Sequence, residues 1–405
     1  MSGVVILGAG QGGYQAAAAL RTEKYAGPVV LVGDEPEIPY QRPPLSKAYL
    51  LGKQTREGLM LRPESFYREQ AIETRFGAAA TAIDRATRTV TLADGATLSY
   101  DHLILATGTR NRALPVEGAD LDGVIGIRTL ADADDLKARI DTVTNAVVIG
   151  GGFIGLEFAA AARTMGRTVT VIEAQPRLMA RALPPTMSAF FLELHRSRGV
   201  EVLLETGVLR IHGEAGRVTG VETTDGRVLP ADLVVVGIGV IPNTELAAAA
   251  GLRVENGIVV DRFLVTEDPA IFALGDVVSF PVPHGAGERH RLESVQNAVD
   301  QARTIAAAIT GKPEPYVAVP WFWSDQYEIK LQMVGLSAGA DEIVTRGDPG
   351  ANRFSLCAFK AGKLVGIDSV NRPADHMAGR RLLAYGRSPT PEQAADIAFD
   401  FKTLL

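Results

Sequence analysis

One cysteine stands in 405 residues. Cys357 lies in Phe354-Ser355-Leu356-Cys357-Ala358-Phe359, which reads as a buried strand, so it is expected to be a core thiol, as free cysteines commonly are. Without a second cysteine there is no C-x-x-C. A dithiol redox relay is excluded, and so is an iron–sulfur or metal site built from several cysteines. No metal site is expected. If electrons leave this molecule, they leave from a cofactor. Tryptophan is nearly as scarce, with Trp321 and Trp323 the only two. No apolar run is long enough to span a membrane. Met1-Ser2-Gly3 leads straight into an apolar strand with no secretory leader, so the cytoplasm is the expected location. A basic excess is missing too: the net charge of −6 argues against nucleic acid as a partner.

What the chain does have is a glycine motif, twice. Gly8-Ala9-Gly10-Gln11-Gly12-Gly13 follows the run Val4-Val5-Ile6-Leu7, and Gly150-Gly151-Gly152-Phe153-Ile154-Gly155 follows Ala146-Val147-Val148-Ile149. A lone G-x-G-x-x-G is weak evidence, because glycine-rich turns are common. Here each copy sits between a β-branched strand and a helix-forming run, the context that a dinucleotide fingerprint requires. The glycines permit a tight turn and close backbone approach. The helix N-terminus then offers free N–H groups and its positive dipole end to a pyrophosphate. Two such loops imply two dinucleotides, and the usual reason to hold two is to pass electrons between them.

Acidic residues stand where a ribose would need them. Asp34 lies 21 residues beyond Gly13, after the strand Val29–Val32, and Glu173 lies 18 beyond Gly155, after Val169–Ile172. A carboxylate there accepts from a free 2′-hydroxyl and repels a 2′-phosphate, so the second site favours NAD over NADP. Arg177 and Arg181 follow soon after and offer charge for a phosphate, which moderates that preference.

At 405 residues the chain is too long for one core, and two to three domains follow. Strand and helix patterns alternate through most of it, which argues for an α/β fold with parallel sheets. Apolar strands ending in small residues recur at Leu103–Thr109, Leu233–Gly239 and Ile271–Asp276. They suggest a first Rossmann-like domain, residues 1–110 and 240–318, interrupted by a second at 111–239. From residue 319 the pattern changes to short strands at Glu328–Val334, Asp341–Arg346, Arg353–Phe359 and Leu364–Ser369, followed by a helix at about Pro373–Gly386. This reads as a C-terminal α+β domain, 319–405.

At Pro39-Tyr40-Gln41-Arg42-Pro43-Pro44-Leu45-Ser46-Lys47 the pattern becomes specific. With Ala106-Thr107-Gly108, Gly150–Glu157, Gly275-Asp276 and Pro320-Trp321-Phe322-Trp323-Ser324-Asp325-Gln326, it resembles the FAD-dependent ferredoxin reductases of bacterial cytochrome P450 and Rieske oxygenase systems. The likeness runs in order along essentially the whole chain. It implies a glutathione reductase-like architecture. FAD is then expected at the first loop (Gly8, Gly10, Gly12, Gly13, beside Ala106, Thr107 and Gly108). NADH is expected at the second (Gly150, Gly152, Ile154, Gly155, with Glu173 and Gly239).

By motif alignment, the FAD contacts would come from Gly12, Asp34, Arg42, Lys47, Ala80, Arg128, Asp276 and Val295, with Gly275 beside Asp276. Asp276 suits hydrogen bonding to the ribityl chain, and Arg128 supplies positive charge. Ala80 and Val295 say little on their own and read equally well as ordinary core. The resemblance also puts Lys47 and Glu157 beside the flavin ring as an ion pair, where a lysine would stabilise the charge of reduced flavin. From the residues alone they are a solvated lysine after a rigid Pro-rich stretch and a helix-end glutamate favoured by the dipole. Trp321 and Trp323 are open between a wall for the flavin, the role in which Trp323 is the candidate, and core packing.

The reaction so implied needs no side-chain nucleophile: NADH reduces FAD, and electrons pass to a [2Fe-2S] ferredoxin that serves a P450 or Rieske oxygenase. Arg289, Arg291, Arg372, Arg380, Arg381 and Arg387 offer a docking patch for an acidic ferredoxin. The likeness implies a monomer. Two other readings stay open: an NADH oxidase or quinone reductase, and a redox-gated interaction protein of the apoptosis-inducing-factor kind.

Overall fold

Valine, isoleucine and leucine fill Gly3–Leu7 without a polar break, and all five residues are buried. A strand covered on both faces reads this way, and it takes a central place in a parallel sheet. It pairs in parallel with Val29–Val32 on one side and with Thr97–Leu105 on the other, setting Ile6 opposite both Leu31 and Ile104. Ile72–Arg75 adds beyond Val29–Val32, and Ile271–Ala273 pairs with Leu103–Leu105. Residues far apart in sequence therefore complete one sheet. Thr89–Leu92 and Ala80–Asp84 extend it with antiparallel pairing. The helices Gln11–Thr22 and Val295–Ile309 pack on each other.

The computed structural model describes residues 2–282 and 288–405. The chain gathers into two units, one of Met1–Gln41, Arg56–Arg110 and Ile241–Ala318, the other of Arg42–Thr55, Asn111–Val240 and Val319–Leu405. Two features differ from the domain expectation. Arg42–Thr55 leaves the 1–110 stretch and packs in the second unit, where the Tyr49 hydroxyl donates to Asp134 and the Lys137 ammonium lies 4.5 Å over the Tyr49 ring. Residues 111–239 and 319–405, expected as separate domains, share the second unit. Aromatic contacts join them: Phe153 meets Phe322 at 4.8 Å between ring centroids, and Phe190 meets Phe354 at 5.1 Å.

The second unit repeats the parallel plan in the order Glu201–Leu203, Thr168–Ile172, Asn145–Ile149, Leu233–Val236, Val124–Gly126. In both parallel sheets the strand before the glycine loop lies between the strand that follows it in its βαβ unit and one from much later. Ligands of such sheets bind at that switch point, outside the carboxyl ends of the strands.

The C-terminal sheet is antiparallel, ordered Trp321–Gln326, Ile329–Gly335, Lys363–Val370, Arg353–Lys360, Glu342–Asp348. Helix Pro373–Ala384 covers one face. Beneath it Cys357 is fully buried with Val334, Phe359, Ile367 and Leu382, and burial pushes its thiol up to about 12. The first strand, Trp321–Gln326, is one that the sequence pattern did not show. It closes onto Ile329 through Tyr327-Glu328, with Tyr327 at φ +56°, and that turn has none of the glycine or asparagine that would mark a hairpin. Among the described residues no helix is long and apolar enough to cross a membrane.

Candidate functional site

The two loops are built alike. Gly8 has φ +110° and Gly150 φ +109°, a backbone conformation open in practice only to glycine. A Cβ on Gly8 would stand 2.2 Å from the Ala106 carbonyl oxygen, and one on Gly150 would stand 2.4 Å from that of Gly237. The last glycine of each motif is equally constrained, because a Cβ on Gly13 would fall 1.8 Å from the Gly8 carbonyl and one on Gly155 would fall 2.4 Å from that of Gly150. The middle glycines differ. A Cβ on Gly10 would meet nothing within 4 Å, and one on Gly152 would reach only the Gly237 carbonyl at 4.0 Å. The fold itself does not require glycine there, and the open space leaves room for a ligand to lie against the backbone. Gly10 and Gly152 are the N-caps of helices Gln11–Thr22 and Phe153–Thr164, and neither helix has a side-chain cap or an acid in its first turn. Each helix thus leaves its amides and its positive end to an anion.

Beside the second loop, Glu173 accepts from the Gly151 N–H at 2.6 Å and from the Gln175 N–H at 2.8 Å, fixing its carboxylate against the turn. Ile154 is 39% exposed at the second position of the helix, an apolar side chain left at the mouth of the loop. Arg177, which offered charge for a phosphate, is spent inside the fold, donating to the Leu183 and Ala180 carbonyls and to Ser188 Oγ. Arg181 is exposed, with its guanidinium 3.5 Å from where a Cβ on Gly239 would stand.

Lys47 and Glu157 meet. Lys47 Nζ lies 2.9 Å from Glu157 Oε1, with side chains only 14% and 6% exposed. The support expected from the helix dipole is absent: the helix begins at Phe153, so Glu157 is its fifth residue, past the turn where the dipole acts. Three donors hold the charge instead. Besides Lys47, Ser46 Oγ donates to Oε2 at 2.7 Å and Ser324 Oγ to Oε1 at 2.7 Å. Burial raises the Glu157 carboxyl above its ordinary range, opposed by the Lys47 charge and the serine hydroxyls. Lys47 is held by its own chain segment, where Lys47 N donates to the Pro44 carbonyl and Leu51 N to that of Lys47. On its outer side lies Asp325, at 3.9 Å.

Residues 2–302 match the family described as Pyridine nucleotide-disulphide oxidoreductase, and residues 321–405 match Reductase C-terminal. The chain is 53% identical to rhodocoxin reductase of Rhodococcus erythropolis over 98% of its own length and 93% of that protein's. The crystal structure of the ferredoxin reductase for the CYP199A2 system from Rhodopseudomonas palustris superposes with a TM-score of 0.97 at 51% identity, covering 100% of this chain and 99% of that one. That of the covalent putidaredoxin reductase–putidaredoxin complex gives 0.96 at 42% identity, covering 100% and 98%.

The chain belongs to the pyridine nucleotide-disulphide oxidoreductases. Within them it falls among the ferredoxin reductases, whose members are FAD- and NAD(H)-dependent. The open space at Gly10 and Gly152, the uncapped helix ends and the bonded Glu173 fit two dinucleotides.

The remaining residues expected at an FAD site divide between the units. In the first, the loop glycines lie with Ala106 and Gly275, and Ala298 Cβ is 3.6 Å from where a Cβ on either Gly12 or Gly275 would stand. Thr107 Oγ1 donates to the Asn243 carbonyl, which anchors the turn through Gly108. Asp276 lies in the single turn Gly275–Val277, and Val295 opens helix Val295–Ile309 behind the capping Ser294. Asp34 is exposed, and Ala80 begins the strand Ala80–Asp84. In the second unit, Arg42 donates to the Arg128 carbonyl at 2.6 Å. Trp323 lies 5.6 Å from Trp321 between ring centroids, on the face of its strand opposite Ser324.

Half of the expected docking arginines are occupied internally. Arg289 donates to the Val260 and Ser279 carbonyls, Arg291 to the Asp276 carbonyl and to Glu293, and Arg372 to Asp375. Arg380 lies 4.7 Å over the Trp321 ring, and Arg381 and Arg387 are exposed. Ser46 and Ser324 were missed by the sequence reading. They stand 111 and 167 residues from Glu157, and no spacing rule joins them to it.

Proposed function

We infer that the chain is an NADH-dependent flavoprotein reductase that carries electrons from NADH through FAD to a [2Fe-2S] ferredoxin serving a cytochrome P450 or Rieske oxygenase. The observation that carries this reading is the lone cysteine. The family is named for disulphide chemistry, yet this member has one thiol, buried in the C-terminal sheet, so a cysteine relay has no residues to run on. When bound, FAD supplies the step between two-electron and one-electron chemistry.

In this reading Gly8, Gly10, Gly12, Gly13, Asp34, Arg42, Lys47, Ala80, Ala106, Thr107, Gly108, Arg128, Gly275, Asp276, Val295 and Trp323 hold FAD. Gly150, Gly152, Ile154, Gly155, Glu173 and Gly239 hold NADH. Lys47 presents a fixed positive charge to the flavin, and Glu157 keeps it in place and charged. The domains take the same assignment: 1–110 and 240–318 for FAD, less the strap Arg42–Thr55, 111–239 for NADH, and 319–405 beyond them. The protein works in the cytoplasm as a monomer.

The test is an NADH:cytochrome c assay with a panel of [2Fe-2S] ferredoxins from the same cell. Reduction that depends on one ferredoxin is expected. Rapid oxygen consumption with no ferredoxin present overturns the reading in favour of an oxidase.

A further inference from the structure

Glu157 stands at the end of a file of buried side chains. Ser324 and Gln326 lie two residues apart on one face of strand Trp321–Gln326, and His195 lies in the last turn of helix Pro185–Ser197. All are 1% exposed or less. Gln326 Nε2 is 3.2 Å from Ser324 Oγ, and Gln326 Oε1 is 2.8 Å from His195 Nε2.

The donors can point only one way. Ser324 spends its single proton on the Glu157 carboxylate, so its oxygen must accept from the amide nitrogen of Gln326. The amide oxygen then faces His195, which must carry its proton on Nε2. His195 Nδ1 is left as the acceptor, with Tyr327 Oη at 3.5 Å. Burial lowers the proton affinity of His195, which favours the neutral ring that this single tautomer requires. The charged groups about the file are Lys47 and Asp325 at the Glu157 end, and Arg198, Arg163 and Glu328 around Tyr327 at the other.

We propose that Ser324, Gln326 and His195 are positioning residues for the Lys47–Glu157 pair. They form a one-way file of donors that keeps the Glu157 carboxylate charged and turned toward Lys47, and they tie its state to the tautomer of a histidine at the far end. This rests on the flavin-side role given above to Lys47 and Glu157.

Two measurements on the FAD-loaded protein test it. In the first, 15N NMR of the histidine ring nitrogens, with His195 assigned by its loss in His195→Gln, should show a protonated Nε2 and a bare Nδ1. The opposite tautomer overturns the file. In the second, stopped-flow reduction by NADH is followed against pH. Ser324→Ala removes a donor to the charged form, so the Glu157 midpoint should move to higher pH by about one unit, a tenfold change in proton affinity, and Ser324→Thr should restore it. An unmoved midpoint in Ser324→Ala overturns the proposal. If that variant fails to fold, Gln326→Met should move the midpoint in the same direction, and an unmoved midpoint there has the same force. A wild-type protein that binds FAD but is not reduced by NADH at any pH refutes the functional reading instead, and the NMR result then decides the file alone.

Discussion

The two glycine loops are nearly superimposable in their constraints and opposite in their surroundings. Each has a first glycine forced by backbone conformation, a last glycine forced by contact with the first, and a middle glycine that the protein does not need. Two positions beyond the last glycine of each motif they part. The second carries Glu157, buried on three donors, where the first carries the neutral, half-buried Gln15. The acids beyond the next strand part as well. Glu173 is bonded to its own loop, whereas Asp34 is exposed and among the described residues has no hydrogen bond to its loop. Holding a dinucleotide is thus one device used twice, and the chemistry lies in what each unit adds around it.

The largest expected effect tests the shared part. Gly8→Val forces a branched side chain into a glycine-only conformation and onto the Ala106 carbonyl, and it should cost about 3 kcal/mol or more in a urea unfolding series. Gly150→Val should cost a similar amount; a mild result in only one loop would break the likeness. Next comes the part found in the second unit alone. Lys47→Met leaves Glu157 without its ammonium and should slow flavin reduction by NADH roughly a hundredfold, the scale seen when one preorganised electrostatic group is lost. Unchanged stopped-flow reduction would remove Lys47 from the chemistry.

The middle glycines separate the loops by ligand. Gly10 has φ −78°, which any residue adopts, and its Cβ would point into open space. Gly10→Ala and Gly152→Ala should therefore leave stability within about 0.5 kcal/mol of the parent, as neutral substitutions do. Gly10→Ala should weaken FAD retention about tenfold, and Gly152→Ala should weaken NADH affinity about tenfold with FAD content unchanged, the scale of one displaced backbone contact. The reverse pattern in flavin absorbance and NADH titration would exchange the two assignments.

How much of this was legible in the sequence follows from range. The loops, their strands and the ribose-position acids lie within one βαβ unit, where glycine spacing and apolar runs suffice to find them. The return of Ile271–Ala273 to the first sheet was readable because its apolar run ends in a glycine turn, at Gly275, as Leu103–Leu105 does at Gly108. The strap Arg42–Thr55 was not: its Lys47–Glu157 pair came only through the resemblance, and its bonds from Tyr49 to Asp134 and from Ser46 to Glu157 reach across 85 residues or more. Local patterns carry no trace of such pairs. The helix dipole at Glu157 failed for a smaller reason: the helix-forming run reads from Leu156, after the last glycine, whereas the helix starts three residues earlier at Phe153, and that made a mid-helix carboxylate look like a terminal one.

The smallest expected effect concerns the two ribose-position acids, and it asks whether the bond from Glu173 to its loop matters. Glu173 accepts two backbone N–H groups, one from Gly151 inside the motif, whereas Asp34 accepts none from its loop among the described residues. Glu173→Gln keeps one accepting oxygen but exchanges two charge-assisted bonds for at most one neutral bond, and it should cost about 1 kcal/mol of stability. Asp34→Asn should stay within about 0.5 kcal/mol, as exposed substitutions do. The same Glu173→Gln change removes the negative charge that repels a 2′-phosphate, so the preference for NADH over NADPH should fall about tenfold. Stability and coenzyme preference should move together in Glu173→Gln, while Asp34→Asn changes neither. If Asp34→Asn destabilises as much as Glu173→Gln, the first acid also braces its loop and the asymmetry between the units is lost. If Glu173→Gln loses stability but keeps its preference for NADH, the carboxylate is a brace for the turn and selection rests elsewhere, with the exposed Arg181 beside Gly239 the next residue to change.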